Sequence, residues 1–510
     1  MKRFRWSTSI ALLIGATGWL SGCQKAVHYD VIIKNANLID GKSESVRRAD
    51  IAIRDRRIVF IGRLGSATAD YIIDARQAYV TPGFIDLRNR SAENLIKDRS
   101  AEFLTSQGIS TVVLNTDGGI KNDIWPVAAY LYQFENNPAS VNVAILAGHH
   151  TLRHLALKDS GFERPASREE LLLLEVLLDR AMRDGALGLS INLAMGSGAY
   201  ALEEELVRLI RRVRENEGVV MILPRDPVRR FWKSLEELRG LQQKTAQKLL
   251  IGRLRPTSRK VWQAKKRWQS YLSDSMIFCV APFETWLGEI TELVPQHEYF
   301  NWREIRKSFY YLGGAHLIKI ARFPSQPAFE GKPLTYFARA QEISEARAFM
   351  EIVKDHDARV AITMQKPGQL NRMYRHANFL PVTDEGLDID LRHTRPGFWH
   401  FIEQTVIRDS VLTLPQAISK LTSFPAEVLG LSGRGVLARG HFADIAIFTI
   451  NKKALQSSKT SPQKPLITLT HLFVNGSLVW PPDRPLASRP GMVLKSKEPA
   501  RLHQTSTKTN

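Results

Sequence analysis

The chain has 510 residues, 44% hydrophobic and 24% charged, with 71 Lys and Arg against 51 Asp and Glu for a formal net charge of +20. That length suits about three to four folding units, and these fractions exclude a wholly disordered chain, a collagen-like fibre and a multi-span membrane protein. Two cysteines cannot build a disulfide framework or a four-cysteine zinc site, while the positive excess suits nucleic acid, an anionic membrane face or an acidic polymer.

Lys2, Arg3 and Arg5 open the chain, and Ser7 to Gly22 follows without a charge. This stretch, broken by Gly15 and Gly18, is short for a membrane span and reads as an export signal, with an uncleaved anchor helix as the alternative. Its end, Leu20-Ser21-Gly22-Cys23, resembles the lipobox of bacterial lipoproteins. The resemblance implies a signal peptide over 1–22, acylation of Cys23 and a lipid anchor in the bacterial cell envelope. Gln24, where an inner-membrane retention aspartate would stand, points to the periplasmic side of the outer membrane. An exported chain meets little nucleic acid, which removes that partner and leaves an anionic envelope polymer or a small acidic ligand. Cys279 reads as a buried apolar residue.

Short β-rich runs between Tyr29 and Val80, separated by Asn, Asp and Gly turns, predict a small antiparallel β unit over 23–80. From Thr81 to about Gly430 strand-like runs alternate with amphipathic stretches; the strand-like runs include Val141 to Leu146, Val219 to Leu223, Leu249 to Ile251 and Val360 to Thr363. The alternation predicts a parallel α/β barrel with insertions over 81–430. β runs return at Ala443 to Ile450 and Leu472 to Trp480, giving a second β unit over 431–480, and 481–510 reads as a flexible tail.

Val80-Thr81-Pro82-Gly83-Phe84-Ile85-Asp86 resembles the segment that enters the barrel of the amidohydrolase superfamily. Gly148-His149-His150-Thr151-Leu152-Arg153, Gly185-Ala186-Leu187-Gly188-Leu189-Ser190 and Thr422-Ser423-Phe424-Pro425-Ala426-Glu427 are similar to segments of its N-acyl-D-amino-acid deacylase (D-aminoacylase) branch. The resemblance runs from about Val31 to Trp480. It implies an amidohydrolase-type (β/α)8 TIM barrel with a composite β-sandwich built from both ends of the chain.

The resemblance also implies a metal site in which bound water hydrolyses an amide. The family's His-x-His pair falls on Arg88 and Arg90, its ligand cysteine on Asp117, and its next two histidines on Leu223 and Arg253. A guanidinium has no lone pair to give a cation. Asp384, in Thr383-Asp384-Glu385-Gly386, matches the family's ligand and general base. Arg395 stands where the family grips a substrate carboxylate, Arg255 where it has a lysine, and Met195 where it uses a tyrosine; the two arginines read either as anion-binding groups or as wall residues held in salt bridges. At the vacated site, the guanidiniums are expected to pair with Asp117 and Asp384.

These substitutions predict a metal-free pseudoenzyme with a binding or scaffolding role at the envelope and no cofactor. The alternative is an active N-acyl amino acid deacylase, using zinc, with a rearranged site around Asp384, Asp117 and the histidines His149, His150 and His154. His150 and His154 share a helix face at i, i+4 if a helix starts there, although structural or surface roles suit all three histidines. Asp355-His356-Asp357 reads as a solvated helix end. From Glu205 to Ser270 there are 18 Lys and Arg against 6 Asp and Glu, interleaved with Trp232, Trp262 and Trp268. That segment reads either as the charged faces of barrel helices or as a patch for anionic lipid or polymer.

Overall fold

The computed structural model of the chain describes residues 27–120, 124–158, 163–252, 254, 264–272, 275–283, 285–363, 368–383, 397–451, 465–482 and 489–496. Residues 1–26, with the expected signal and Cys23, lie outside them, as do Arg253, Arg255, Trp262, Asp384 and Arg395.

Five strands come first: β1 (His28–Leu38), β2 (Arg47–Arg54), β3 (Arg57–Gly62), β4 (Thr68–Asp74) and β5 (Tyr79–Pro82). The barrel follows with β6 (Phe84–Asp86), β7 (Ile109–Leu114), β8 (Asn142–Ile145), its continuation β9 (Ala147–Gly148), β10 (Gly188–Asn192), β11 (Val219–Leu223), β12 (Leu249–Ile251) and β13 (Met276–Val280). Three more, β14 (Thr285–Glu289), β15 (Ile318–Arg322) and β16 (Arg359–Thr363), precede the last barrel strand β17 (Phe379–Pro381). β18 (Ile445–Ile450), β19 (Ile467–Val474) and β20 (Ser477–Trp480) end the series.

The barrel strands pair in parallel, as β6-β7-β8 and as β9-β10-β11-β12-β13-β17. They are almost continuously apolar because both faces are covered, by helices outside and by packed side chains inside. Ile85, Leu87, Val113, Leu146, Met221, Leu223, Leu250, Cys279 and Leu380 form one buried cluster in the lumen. Helices on the outside carry their start signals: Ser167 and Glu170 make a reciprocal capping box for Arg168–Arg183, and Thr413 and Gln416 make another for Leu414–Leu421. Gly188 marks a close strand approach, since a Cβ there would lie 1.9 Å from the Val219 carbonyl oxygen.

The first and last strands are joined by side chains at the barrel rim. Asp86 accepts hydrogen bonds from the Thr383 backbone N–H at 3.2 Å, the Thr383 hydroxyl, and Asn89 Nδ2 at 3.1 Å. Burial raises the pKa of Asp86, against the hydrogen bonds from Thr383 and Asn89 that favour the carboxylate.

Both ends of the chain meet in one eight-stranded sheet ordered β20-β19-β18-β5-β1-β2-β3, with β4 paired to β1. β18 runs antiparallel to β5, with Ile445 opposite Pro82, and this pairing joins the two ends. The composite expectation therefore holds at the level of strand register.

Three expectations differ from the structure. The N-terminal β unit is mixed rather than antiparallel, since β1 pairs in parallel with β4 and β5. Val360 to Thr363 is no barrel strand: β14, β16 and β15 form a separate antiparallel sheet inserted between β13 and β17, over its own core of Ile305, Phe309, Ile318, Phe337, Phe349 and Ile352. A lone apolar run of this length has the same pattern in either setting. The tail also contains an ordered strap. Leu494 N–H donates to the Val143 carbonyl at 2.8 Å, Val143 N–H to Met492 at 2.9 Å, and Met492 N–H to Asn142 Oδ1 at 3.0 Å. Residues 489–496 thus run beside β8, and their Pro and Lys content concealed this backbone pairing.

Candidate active site at the barrel mouth

The loops after β6 and β7 carry three of the positions where a metal site was expected, and the end of β11 carries a fourth. Arg88 is fully buried. Its stem crosses Gly252, where an added Cβ would lie 3.0 Å from Arg88 Nε and 3.1 Å from both Arg88 Cδ and Met221 Sδ. It is close enough to Cys279 to hold that thiol's pKa down, yet burial dominates and pushes the thiol up to about 12. The guanidinium of Arg88 therefore belongs to the lumen, beside Met221, Gly252 and Cys279. Its buried position depends on the glycine on β12's end, because any side chain there would compete for the same volume.

Arg90 is 9% exposed and donates from Nη1 to Glu292 Oε1 at 3.2 Å, a carboxylate whose side chain is 1% exposed. Burial alone would lower the pKa of Arg90, but the charges of Glu292, Asp117 and Glu289 outweigh it and raise the pKa. Asp117 thus favours the charge on Arg90, while the ion pair shown for Arg90 is with Glu292. Asp117 is itself buried in the loop that follows the left-handed Asn115, φ 58°, and its Oδ1 accepts from Gly119 N–H at 3.2 Å. Glu292 comes from the insertion, 202 residues further along the chain. No local pattern in the sequence pairs it with Arg90.

Leu223 is wholly buried in the lumen cluster, and its carbonyl accepts from Leu193 N–H at 3.1 Å. It offers no donor to a cation. Asp384, Arg253, Arg255 and Arg395 fall outside the described residues, so the expected Asp384 pairing is not placed.

The insertion is fastened over the mouth at a second point. Arg229, 5% exposed at its side chain, meets Asp226 at 2.9 Å, Glu298 at 2.5 Å and Glu304 at 2.6 Å. Burial opposes its charge, but the carboxylates Asp226 and Glu298 raise its pKa. Gln296 Oε1 also accepts from Gly196 N–H at 2.9 Å, on the turn after Met195. The rim segment 290–304 is therefore held by two buried guanidiniums of the barrel.

The histidine cluster is divided rather than convergent. His149 Nε2 is 2.7 Å from Glu205 Oε1, and Arg153 pairs with the other oxygen of the same buried carboxylate. His150 Nδ1 faces Ser197 Oγ at 3.0 Å, and His154 is exposed. This arrangement fits the structural role weighed for these residues. Asp355 likewise ends a helix, accepting from the backbone of Ser325 and Asp357 at 3.0 Å each.

In the basic segment 205–270 several of the described cations are paired with carboxylates. Arg208 pairs with Glu175, Arg212 with Asp179 and Glu215, and Arg267 with Glu236. Trp268 is 2% exposed, and it packs edge-on to Trp232, Phe278 and Phe379 in the core. Trp232 and Trp268 were legible as aromatic interleaving, but the two rings pack against each other and Trp268 is buried in the core.

A divalent ion needs imidazole, thiolate or carboxylate ligands converging at about 2 Å. The described residues at the expected positions supply two guanidiniums, one carboxylate engaged with its own loop, and one aliphatic chain. Among the described residues no group of three or more His, Cys, Asp or Glu is placed to hold a metal. The side chains at Arg88, Arg90, Asp117 and Leu223 do not fit a zinc ion.

No family model matches the chain. It is 25% identical over 492 residues to the N-acyl-D-glutamate deacylase of Alcaligenes xylosoxydans xylosoxydans, covering 91% of this chain and 96% of that protein. It is 26% identical over 503 residues to the D-aminoacylase of the same organism, covering 91% and 97%. Among solved structures, the N-acyl-D-glutamate deacylase of Bordetella bronchiseptica, complexed with zinc and a phosphonate mimic of the tetrahedral intermediate, superposes with a TM-score of 0.76 at 24% identity, covering 92% of this chain and all of that one. The chain is D-aminoacylase-like, with the amidohydrolase-type barrel fold.

Proposed function

We propose that the chain is a metal-free pseudoenzyme of D-aminoacylase type that binds rather than hydrolyses its ligand. The observation that carries this reading is the burial of Arg88 in the lumen and of Arg90 under Glu292, at the two positions of the His-x-His pair. A divalent ion placed there would meet two fixed positive charges, each repelling it by several kcal/mol at about 5 Å in an effective dielectric near 20. Arg255 and Arg395 would supply guanidiniums for a carboxylate, and relatives named for N-acyl-D-glutamate and N-acyl-D-aspartate suggest an acidic N-acyl amino acid as the ligand class. Acylated Cys23 would tether the protein to the periplasmic face of the outer membrane, where it would act as a binding or scaffolding lipoprotein.

Elemental mass spectrometry of the purified full chain, after incubation with zinc, tests the reading together with hydrolysis of N-acetyl-D-glutamate. The expected result is substoichiometric zinc, no hydrolysis, and calorimetric binding of the unhydrolysed compound. Stoichiometric zinc with turnover abolished in Asp384→Asn would overturn it in favour of an active deacylase with a rearranged site. Radiolabelled palmitate incorporated by the wild type and lost in Cys23→Ser tests the tether; an unlabelled wild type refutes it.

A further inference from the structure

Apart from the mouth, the insertion shows a second feature. Among the described residues six large aromatic side chains are exposed, Tyr132, Phe300, Trp302, Tyr310, Tyr311 and Tyr336, and five of the six lie in the insertion. Four of these five belong to the helix Trp302–Leu312 or the residue pair before it. The helix starts on Asn301, whose side chain caps Arg303 N–H, and ends at Gly313 in the left-handed region, φ 98°. Its inward stripe is Ile305, Ser308, Phe309 and Leu312, buried in the insertion's core.

The outward face combines Trp302, 51% exposed, Tyr310, 76% exposed, and Tyr311 with the exposed cations Arg303, Arg306 and Lys307. The guanidiniums of Arg303 and Arg306 lie 5.3 and 5.9 Å from the Trp302 ring centroid. Between Tyr299 and His316 the only carboxylate is Glu304, and it turns inward to Arg229 at 2.6 Å while also holding Lys307. The outward face is therefore cationic and aromatic with no free anion. Exposing so many rings to water has a hydrophobic cost that a soluble surface ordinarily avoids. Tryptophan and tyrosine beside Arg and Lys are the side chains that favour the headgroup layer of a bilayer, where rings meet acyl carbons and cations meet phosphates.

We propose that the outward face of the Trp302–Leu312 helix, with Phe300, docks on an anionic phospholipid surface. The occupant is argued from charge complementarity and from the aromatic composition together. This transfers the membrane-facing role from the basic segment 205–270, where Arg208, Arg212 and Arg267 are paired with carboxylates, to a surface that composition alone did not mark. The same helix holds Arg229 through Glu304, so the docked face and the barrel mouth are two sides of one element. The inference does not depend on whether the barrel is catalytically silent.

Hydroxyl-radical footprinting of the full chain tests it, comparing phosphatidylglycerol vesicles, phosphatidylcholine vesicles and no vesicles. Labelling of Trp302, Tyr310 and Tyr311 is expected to fall several-fold on phosphatidylglycerol alone, and Tyr132 serves as the exposed internal control. Arg303→Glu with Arg306→Glu should restore the labelling, because each cation near an anionic surface is worth about fivefold in binding. Both changes are on the exposed face, and an unchanged thermal melt shows that the fold persists. Equal labelling under all three conditions overturns the proposal. Equal protection on both lipids overturns the charge argument, and protection that grows with protein concentration without vesicles points to a second copy instead and likewise overturns it.

Discussion

Replacing Glu292 by Gln removes the charge that faces Arg90 while leaving the shape and one acceptor oxygen. At 3.2 Å and an effective dielectric of about 20, the lost attraction is about 5 kcal/mol before compensation. Asp117 and Glu289 also raise the pKa of Arg90, so its cation is not orphaned and part of that loss is recovered. The net cost should then fall below the roughly 3–5 kcal/mol of a buried pair broken outright, at about 2–3 kcal/mol. It should be felt where the insertion meets the barrel. Native-state proteolysis reports that opening, and 2–3 kcal/mol corresponds to cleavage within 285–363 about 30- to 150-fold faster. Arg90→Met alone should cost a similar amount, whereas the double change should cost less than the sum, since neither member of the pair then leaves the other's charge behind. Added salt should change little, because both groups are buried. A coupling energy under about 0.5 kcal/mol in this cycle would refute the view that Arg90 and Glu292 form one unit.

Lys420 is buried and donates from Nζ to the carbonyls of His376, Ala377 and Phe379 at 2.8, 3.2 and 3.0 Å, and burial lowers its pKa to about 7. The unfolded chain then holds the extra proton between about pH 7 and pH 10, so stability should rise with pH across that window, by at most about 1.4 kcal/mol per unit. Urea unfolding of the wild type against Lys420→Met should show a gap that shifts in favour of the wild type as pH rises; a pH-independent gap refutes it. Cys279, with its thiol pushed up to about 12 and 1% exposed, should stay unlabelled by a thiol reagent in the native Cys23→Ser protein and react fully in denaturant.

The order of β unit, barrel and β unit was legible because parallel strands buried on both faces read as apolar runs and because two β-rich ends flank them. The substitutions at Arg88, Arg90 and Leu223 were equally legible, each being a residue type standing in a matched segment. What surrounds them was not. Glu292 and Arg90 are joined only by tertiary packing, and the space for Arg88 depends on Gly252 and Met221 on neighbouring strands. Insertions were expected, but the place of this one was hidden because Val360 to Thr363 has the same apolar content as a barrel strand. In segment 205–270 charge counts were read without their partners. The carboxylates that neutralise Arg208 and Arg212 come from the preceding helix, Arg168–Arg183, at Glu175 and Asp179.

The pairing of Arg90 with Glu292 also bears on how such a site changes. In a barrel that holds a dication, a carboxylate beside the first ligands competes for the metal or must be neutralised by it. Here the guanidinium of Arg90 supplies that neutralising charge, and Glu292 fixes it from another part of the chain. Changing Arg90 alone to His would leave Glu292 buried with less positive charge, and Arg88 would still place a cation in the lumen beside Met221 and Gly252. Changing Arg88 alone to His would open a hollow next to Cys279 while Arg90 and its carboxylates stayed as they are. Each single step toward a histidine pair thus adds an unpaired charge or a cavity before it adds a metal ligand. Arg90 is coupled to Glu292 through charge, and Arg88 to Gly252 and Met221 through volume, so a histidine introduced at either position alone is expected not to bring a metal ion with it.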